Sequence, residues 1–202
     1  AYFNLGATIP AWTDAAVTAG SWNATQMSGA TAINAIAFSP NFASDFTALV
    51  VSNNGTSAYL EQVNFNSFKW NTFGTPYPVT AVANIGSGIN AADIAMAPDY
   101  LGADEVMRVN FVAMTYNGNT GLLARYNDGY ATAFSGFTGG LNSVAFDGTN
   151  LVAGAFTTND VYRSAAPMAT PAMVLPARTY KKVGLDDSSN PDKVLVGFSG
   201  AN

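Results

Sequence analysis

The segment Ile33–Asp45 reads INAIAFSPNFASD, and the chain repeats it. A second copy, INAADIAMAPDYLGAD, spans Ile89–Asp104, and a shortened third copy, LNSVAFDGTN, spans Leu141–Asn150. The copies begin 56 and 52 residues apart. Repeats of about 40–50 residues that contain several strands are typical of propeller blades, and loop insertions would account for the extra length here.

Each copy opens a set of four predicted strands. An apolar run follows the copy, a third strand candidate follows a polar turn, and a fourth carries an aromatic residue. The second strands are predicted at 48–51, 109–114 and 151–155, the third at 58–63, 121–126 and 161–164, and the fourth at 69–73, 131–134 and 180–183. Four antiparallel strands form one blade. We therefore predict an all-β propeller with blade-like repeats at about 33–75, 89–134 and 141–183.

The two ends of the chain fit the same repeat. Val194–Phe198 reads as a second strand, and Ala1–Leu5 with Ile9–Thr13 would supply its third and fourth strands. We expect 184–202 and 1–13 to form a split blade that closes a four-bladed ring and hides its edge strands. The competing interpretation is an arc of a larger propeller. The strand pattern also leaves open a β-sandwich, which needs no self-similar sequence, and a β-solenoid, which has shorter coils.

The composition excludes several classes of chemistry. The 202 residues include no histidine and no cysteine. A Ser-His-Asp triad, a thiolate nucleophile, a histidine metal ligand and an iron–sulfur cluster are therefore excluded. Carboxylate, tyrosine or lysine chemistry and oxygen-ligated Ca²⁺ or Mg²⁺ remain open.

The charge pattern indicates a setting outside the cytoplasm. The chain has thirteen acidic and eight basic residues, so its net charge is −5. Only 10% of residues are charged, against roughly a quarter in an average soluble domain. Neutral polar surfaces of this kind are common on secreted β-proteins. The acidic balance argues against nucleic-acid binding, which needs a basic stripe. The sequence contains no run of 18 apolar residues, so it predicts no membrane-spanning helix. The start at Ala1 fits a chain that follows cleavage of a signal peptide, or a proteolytic piece.

The turn after the third strand of the second repeat carries a family resemblance. Arg125–Phe134, RYNDGYATAF, resembles the Asp-box S-x-D-x-G-x-T-W of sialidase-like and sortilin-like propellers, with Asp128 and Thr132 at the Asp and Thr positions. Trp70 in the first repeat and Ser164 in the third match other positions of the motif. Similar repeats occur in large secreted bacterial surface proteins. The resemblance implies a structural role, in which the Asp accepts backbone hydrogen bonds in a tight turn and an aromatic packs beneath it.

The same resemblance raises sialidase activity as a hypothesis. Sialidases clamp a substrate carboxylate with three arginines and use a Tyr–Glu pair. The residues available for such a site are Arg108, Arg125, Arg163, Arg178, Glu61 and Glu105. Arg125 and Arg163 occupy equivalent third-strand positions, and repeated equivalents usually do the same structural job, such as bonding a neighbouring turn. We therefore assign no catalytic residue.

Binding sites for small groups are sparse. Asp186, Asp187 and Asp192 form an acid-rich loop with oxygen donors that could wrap Ca²⁺, although it lacks the glycine and terminal glutamate of an EF-hand. Asn23 and Asn54 begin N-x-T sequons and are glycosylation candidates. Three tyrosines could stack on sugars or pack between blades: Tyr59, Tyr77 and Tyr130. No other cofactor is expected.

These observations favour a non-enzymatic extracellular or cell-surface domain that works through shape. Its expected partners are other copies of itself, as in a surface layer, appendage or filament, or cell-envelope proteins. Low charge suits such close packing because neighbouring copies repel one another little. The alternative is a glycan-binding or sialidase-like module, and a third interpretation is a fragment of a photosystem-assembly-type propeller.

Overall fold

A computed structural model of the chain describes residues 2–4, 11–13, 32–67, 69–71, 88–128, 130–158 and 160–174. These residues are mostly β-strand, which confirms the predicted all-β class. The described helical segments are two single turns, α1 (Phe42–Asp45) and a 3-10 turn at Glu105–Met107.

The strands form sheets in simple chain order. Sheet 1 contains β3 (Ala32–Phe38), β4 (Thr47–Asn53), β5 (Ala58–Asn64) and β6 (Lys69–Trp70). Sheet 2 contains β7 (Ile89–Met96), β8 (Val109–Tyr116), β9 (Thr120–Asn127) and β10 (Tyr130–Ala133). Sheet 3 contains β11 (Leu141–Phe146), β12 (Leu151–Ala155) and β13 (Val161–Ser164). Near the N-terminus, β1 (Tyr2–Asn4) pairs with β2 (Ala11–Thr13), and all these pairings are antiparallel.

An isolated antiparallel bridge extends sheet 3 beyond β13. Val174 exchanges two backbone hydrogen bonds with Arg163, at 2.8 and 2.9 Å. In sheet 2 the corresponding partner of Arg125 is Thr132, on β10. The fourth strand was predicted at 180–183, which lies outside the described residues, as do 184–202.

A β-bulge interrupts the first strand of each sheet near its start. The register skips one residue between Ile33 and Ala35, between Ile89 and Ala91, and between Leu141 and Ser143. The extra residue is an asparagine each time, namely Asn34, Asn90 and Asn142. The repeated I/L-N-[A/S] sequence therefore encodes a repeated local distortion, because a bulge increases the twist of its strand.

Sheet 2 is packed on both faces. Val112, Ala124 and Tyr126 join one apolar cluster with Leu49 and Leu60 of sheet 1. The opposite face contributes to a second cluster with sheet 3, in which the Phe111 and Phe146 ring centroids are 4.7 Å apart. The first strand β7 lies beside both β3 and β11. Burial on both faces explains why β8 reads as an unbroken, mostly apolar run.

The pairing registers define equivalent positions in the three sheets. Counted back from the last paired residue of each first strand, Ile36 corresponds to Ile94 and Val144, and Phe38 corresponds to Met96 and Phe146. On the third strands, Gln62 corresponds to Arg125 and Arg163. These equivalences allow the environment of one residue to be compared with that of its counterparts.

Candidate functional site

The loops at one end of sheets 1 and 2 are joined through Asp45. α1 ends at Asp45, and the C-cap residue Phe46 has a φ of 52° in the left-handed region, an uncommon conformation for a residue other than glycine. The buried Asp45 carboxylate accepts hydrogen bonds from the Ser39 hydroxyl at 2.8 Å and from the N–H groups of Thr47 at 3.0 Å and Gly102 at 2.8 Å. The bond to Gly102 crosses from the first repeat to the second.

The chain of contacts continues to the Asp-box position. The Gly102 carbonyl accepts a hydrogen bond from Arg108 Nε at 2.8 Å, and Arg108 Nη1 forms an ion pair with Asp128 at 2.7 Å. We call Ser39, Asp45, Gly102, Arg108 and Asp128 the loop network. Its charged groups hold loops together, which is a structural use of ionisable side chains.

The other residues of the Asp-box resemblance are also placed by the sheets. Thr132 lies half-buried on β10, opposite Arg125. Phe134 is buried between sheets 2 and 3, with its ring centroid 6.1 Å from that of Phe111. Trp70 is buried on β6, where it pairs with Val63. Asp128 adopts a φ of 44°, a conformation that aspartate tolerates better than most residues.

The described arginines serve separate contacts. Arg125 Nη1 donates to the carbonyls of Pro167 and Met168, in the loop after β13. Arg163 Nη2 donates to Asn150 Oδ1 at 2.6 Å, and Arg108 belongs to the loop network. Arg125 thus bonds a turn of the neighbouring sheet, whereas Arg163 bonds a turn of its own sheet, so the two equivalent positions do not make the same contact. Arg178 lies outside the described residues.

The acidic side chains of the described sheets hold backbone or neutral polar groups. The buried Glu61 carboxylate accepts hydrogen bonds from Ser52 Oγ at 3.1 Å and from Asn71 Nδ2, whereas Glu105 is exposed. Asp93 Oδ2 accepts a hydrogen bond from the Val144 N–H at 2.9 Å, which joins β7 to β11. Within the described ranges, no three histidine, cysteine, aspartate or glutamate side chains lie together as a metal site would require.

Asp147, in the turn after β11, has a carboxyl pKa that is shifted by its hydrogen bonds. The N–H groups of Asn150 and Thr149 donate to its Oδ1 at 2.6 and 2.7 Å, and the Asn150 side chain donates to Oδ2 at 3.0 Å. These bonds favour the ionised carboxylate and lower the pKa of Asp147 below its ordinary value, with the Asn150 N–H contributing most. The contacts organise a tight turn.

The predicted binding residues fall partly outside the described chain. Asp186, Asp187, Asp192, Asn23 and Tyr77 all lie outside it. Asn54 is exposed; its Nδ2 donates to the Tyr59 hydroxyl at 2.8 Å, and its Oδ1 accepts from the Thr56 N–H at 2.9 Å. Tyr130 is 80% exposed at the start of β10.

The strongest candidate for an interaction site is an apolar surface on β3. Ile33, Ile36 and Phe38 are 55%, 56% and 56% exposed, and we call these three residues the apolar patch. Phe42 packs beneath it, with ring centroids 5.0 Å from Phe38 and 5.7 Å from Phe65. Contiguous exposed apolar surface of this kind marks contact sites more often than isolated apolar residues do.

Sequence reasoning missed the cross-sheet roles of Asp45 and Asp93. The Asp45 bond to Gly102 depends on the proximity of loops 57 residues apart, which the sequence does not show. The signal for Asp93 was present in the sequence, because a carboxylate interrupts the otherwise apolar strand AADIAM. A charge inside an apolar strand needs a partner when it is buried.

Comparison with known proteins adds no family. No protein-family model matches the chain, and no curated protein sequence matches it. Over the described ranges, neither helical turn is long enough to cross a lipid bilayer.

Proposed function

We propose that this chain is a propeller-type structural and interaction domain of an extracellular or cell-surface protein, without enzymatic activity. The apolar patch is the observation that carries the proposal. Ile94, the counterpart of Ile36, is 7% exposed, and it packs with Tyr100 in the cluster shared with sheet 1. In sheet 1 the same position is 56% exposed.

This difference supports a further sheet beyond sheet 1. In sheets 2 and 3, the first strand packs against the preceding sheet. Met96 contacts the cluster that sheet 2 shares with sheet 1, and Phe146 contacts the cluster that sheet 3 shares with sheet 2. Phe38 occupies the same position. By this equivalence, the apolar patch is the face on which a preceding blade packs. The split blade of 184–202 and 1–13 is the proposed occupant, and the pairing of β1 with β2 is compatible with its third and fourth strands.

The ionisable groups support a mechanism based on shape. Asp45, Asp93 and Arg125 each bond the backbone of the following sheet, and such bonds fix the sheets relative to one another. A rigid stack with few surface charges can pack closely against other copies or against cell-envelope proteins, because long-range repulsion is weak.

A glycan-binding module is the second candidate. The specific observation in its favour is Tyr130, whose ring is 80% exposed on an outer strand. Exposed tyrosine rings stack on sugar faces and keep a hydroxyl for hydrogen bonding. A glycan array with the wild type and Tyr130→Ala would favour this candidate if the wild type alone bound a defined sugar.

The absence of cysteine from the chain makes the propeller proposal directly testable by thiol labelling. Phe38→Cys should react with a maleimide several-fold more slowly than Val106→Cys, which replaces a residue that is 77% exposed away from the patch. Deletion of 184–202 should abolish this protection while circular dichroism stays β-rich. Equal labelling rates of both variants in the full chain would contradict the covered patch.

The functional part has its own test. Fractionation of the source cells should place the protein in the envelope or the medium, and sedimentation of the purified chain should show ordered assembly or binding to envelope proteins. Hydrolysis of a fluorogenic sialoside by the purified chain would overturn the non-enzymatic assignment.

A further inference from the structure

Two polar side chains on the sheet 2 face that meets sheet 1 are buried and have no hydrogen-bond partner within the described part of the chain. Asn110, on β8, is fully buried, and neither its Oδ1 nor its Nδ2 has a partner among the described residues. Its cross-strand neighbour is Tyr126, on β9, which is 1% exposed and whose hydroxyl also lacks a partner in the described chain. Directly paired residues share a face of the sheet, so their side chains are adjacent.

The facing surface of sheet 1 adds a third group of the same kind. Gln62 is buried on β5, and neither polar atom of its side chain has a described partner. Gln62 pairs with Leu49, which belongs to the same apolar cluster as Tyr126. The two carboxamides and the phenol therefore lie in a single sheet-to-sheet interface.

The next interface is built differently at the corresponding positions. The counterparts of Asn110 and Tyr126 are Leu151 and Ser164 in sheet 3, and the counterpart of Gln62 is Arg125. Arg125 reaches the carbonyls of Pro167 and Met168, whereas the shorter Gln62 makes no such bond to described residues. Among the described residues, the second interface leaves Arg125 Nε without a partner, whereas the first leaves two whole carboxamides and a phenol hydroxyl unpartnered.

Buried polar atoms are rarely left unpaired in folded proteins, because desolvation without a new hydrogen bond costs free energy. The amide groups of Asn110 and Gln62 offer both donors and acceptors, and the Tyr126 hydroxyl can act as either. A water molecule needs two to four such partners to remain buried. We propose that the interface between sheets 1 and 2 is an internal binding site for ordered water, held by Asn110, Tyr126 and Gln62.

The ionisation behaviour of Tyr126 is compatible with this site. Burial raises the pKa of Tyr126 above its ordinary value, so the phenol stays neutral and keeps its O–H as a donor to water. The water would add a polar link between the strands of the two sheets, beside the apolar cluster that they share.

The direct test is a crystal structure of the wild-type chain at a resolution that shows ordered water. Density for at least one water within hydrogen-bond distance of Asn110 and of Tyr126 or Gln62 is the expected result. Direct hydrogen bonds among the three side chains, with no water density, would overturn the proposal.

A solution measurement supplies a second test that does not depend on crystals. Water-oxygen relaxation dispersion detects buried waters with long residence times. The double variant Asn110→Leu/Gln62→Leu should lose at least one long-lived water relative to the wild type. Asn142→Leu, which replaces an exposed asparagine on β11, should retain the full signal. An unchanged signal in a folded double variant would refute the site.

Discussion

The carboxylate of Asp45 lies 2.8 Å from the backbone nitrogen of Gly102, and this hydrogen bond joins the loops of sheets 1 and 2. Asp45 is almost fully buried, and its two oxygens accept three described hydrogen bonds. A buried carboxylate with these partners is costly to disturb, because each donor it satisfies would otherwise be left unpaired.

Comparing variants of Asp45 and Asp104 measures how much the hydrogen bond between sheets 1 and 2 contributes to the free energy of unfolding. Both carboxylates accept the N–H two residues ahead, from Thr47 and Val106 respectively, but only Asp45 also bonds Gly102. Asp45→Asn should lower the free energy of unfolding by about 1.5–3 kcal/mol. Asp104→Asn should cost less than about 1 kcal/mol. Denaturant unfolding of the two variants checks this, and equal losses would contradict a special role for Asp45.

Gly102 is expected to tolerate no side chain. A Cβ atom there would lie 2.3 Å from Thr47 Oγ1 and 2.8 Å from Thr47 Cβ. Gly102→Ala should therefore destabilise the fold by about 1–3 kcal/mol through overpacking. Thr47→Ala removes part of the obstruction, so in a double-mutant cycle the two losses should sum to more than the loss of the double variant. Strict additivity would show that the two residues do not compete for space.

Arg125 and Arg163 occupy equivalent strand positions but donate hydrogen bonds to different partners. Arg125 holds two carbonyls of the loop after β13, whereas the hydrogen bond of Arg163 to Asn150 is exposed. Arg125→Met should lower the free energy of unfolding by about 1–3 kcal/mol, because it leaves these carbonyls without their donor. Arg163→Met should stay within about 0.5 kcal/mol of the wild type. Thermal unfolding distinguishes the two, and a larger loss at Arg163 would reverse the assignment.

The turn of Asp147 gives a prediction for acid pH. Because the folded-state pKa is lowered, the contribution of Asp147 to stability is present above the unfolded-state pKa and is lost as pH falls through the folded-state pKa. Carboxyl-carbon NMR should show Asp147 titrating below an ordinary aspartate. In Asn150→Ala the midpoint should rise, because the side-chain donor is removed; the backbone N–H donors remain. A midpoint at the ordinary value in the wild type would contradict the described turn.

Tyr126 gives the opposite prediction for alkaline pH. Burial raises its pKa in the folded protein, so its contribution is fully present below the unfolded-state pKa of about 10 and is lost as pH rises toward the folded-state value. Unfolding free energies at pH 8 and pH 11 should therefore differ less in Tyr126→Phe than in the wild type. Tyr130→Phe, at an exposed site, serves as the control and should keep the wild-type difference.

The sequence predicted strand positions well because apolar runs and turn residues are local signals. The runs at 48–51 and 109–114 lie within β4 and β8, and the predicted third strands lie within β5, β9 and β13. The partner of Arg163 was not predictable in the same way. The bridge from Arg163 to Val174 spans a longer loop than those that precede β6 and β10, and the predicted fourth strand at 180–183 lies outside the described residues.

The contacts of the candidate site depend on spatial proximity that a single sequence does not show. The resemblance predicts that Asp128 accepts backbone hydrogen bonds in its own turn, and the structure also pairs it with Arg108, twenty residues earlier. Asn110 and Gln62 are single polar residues in strands with a strong apolar pattern, and only their burial without partners distinguishes them from solvent-facing positions.

The bulges at Asn34, Asn90 and Asn142 have a consequence for engineering by deletion. Leu141 and Val144 both point toward sheet 2, although they are three residues apart, because Asn142 is the inserted residue. Removing that asparagine would restore regular alternation and leave both side chains pointing the same way. Removing a residue from the regular part of the same strand would invert every side chain beyond the cut. The three asparagines therefore mark the points at which one residue can be deleted from a first strand without moving its side chains to the opposite face of the sheet.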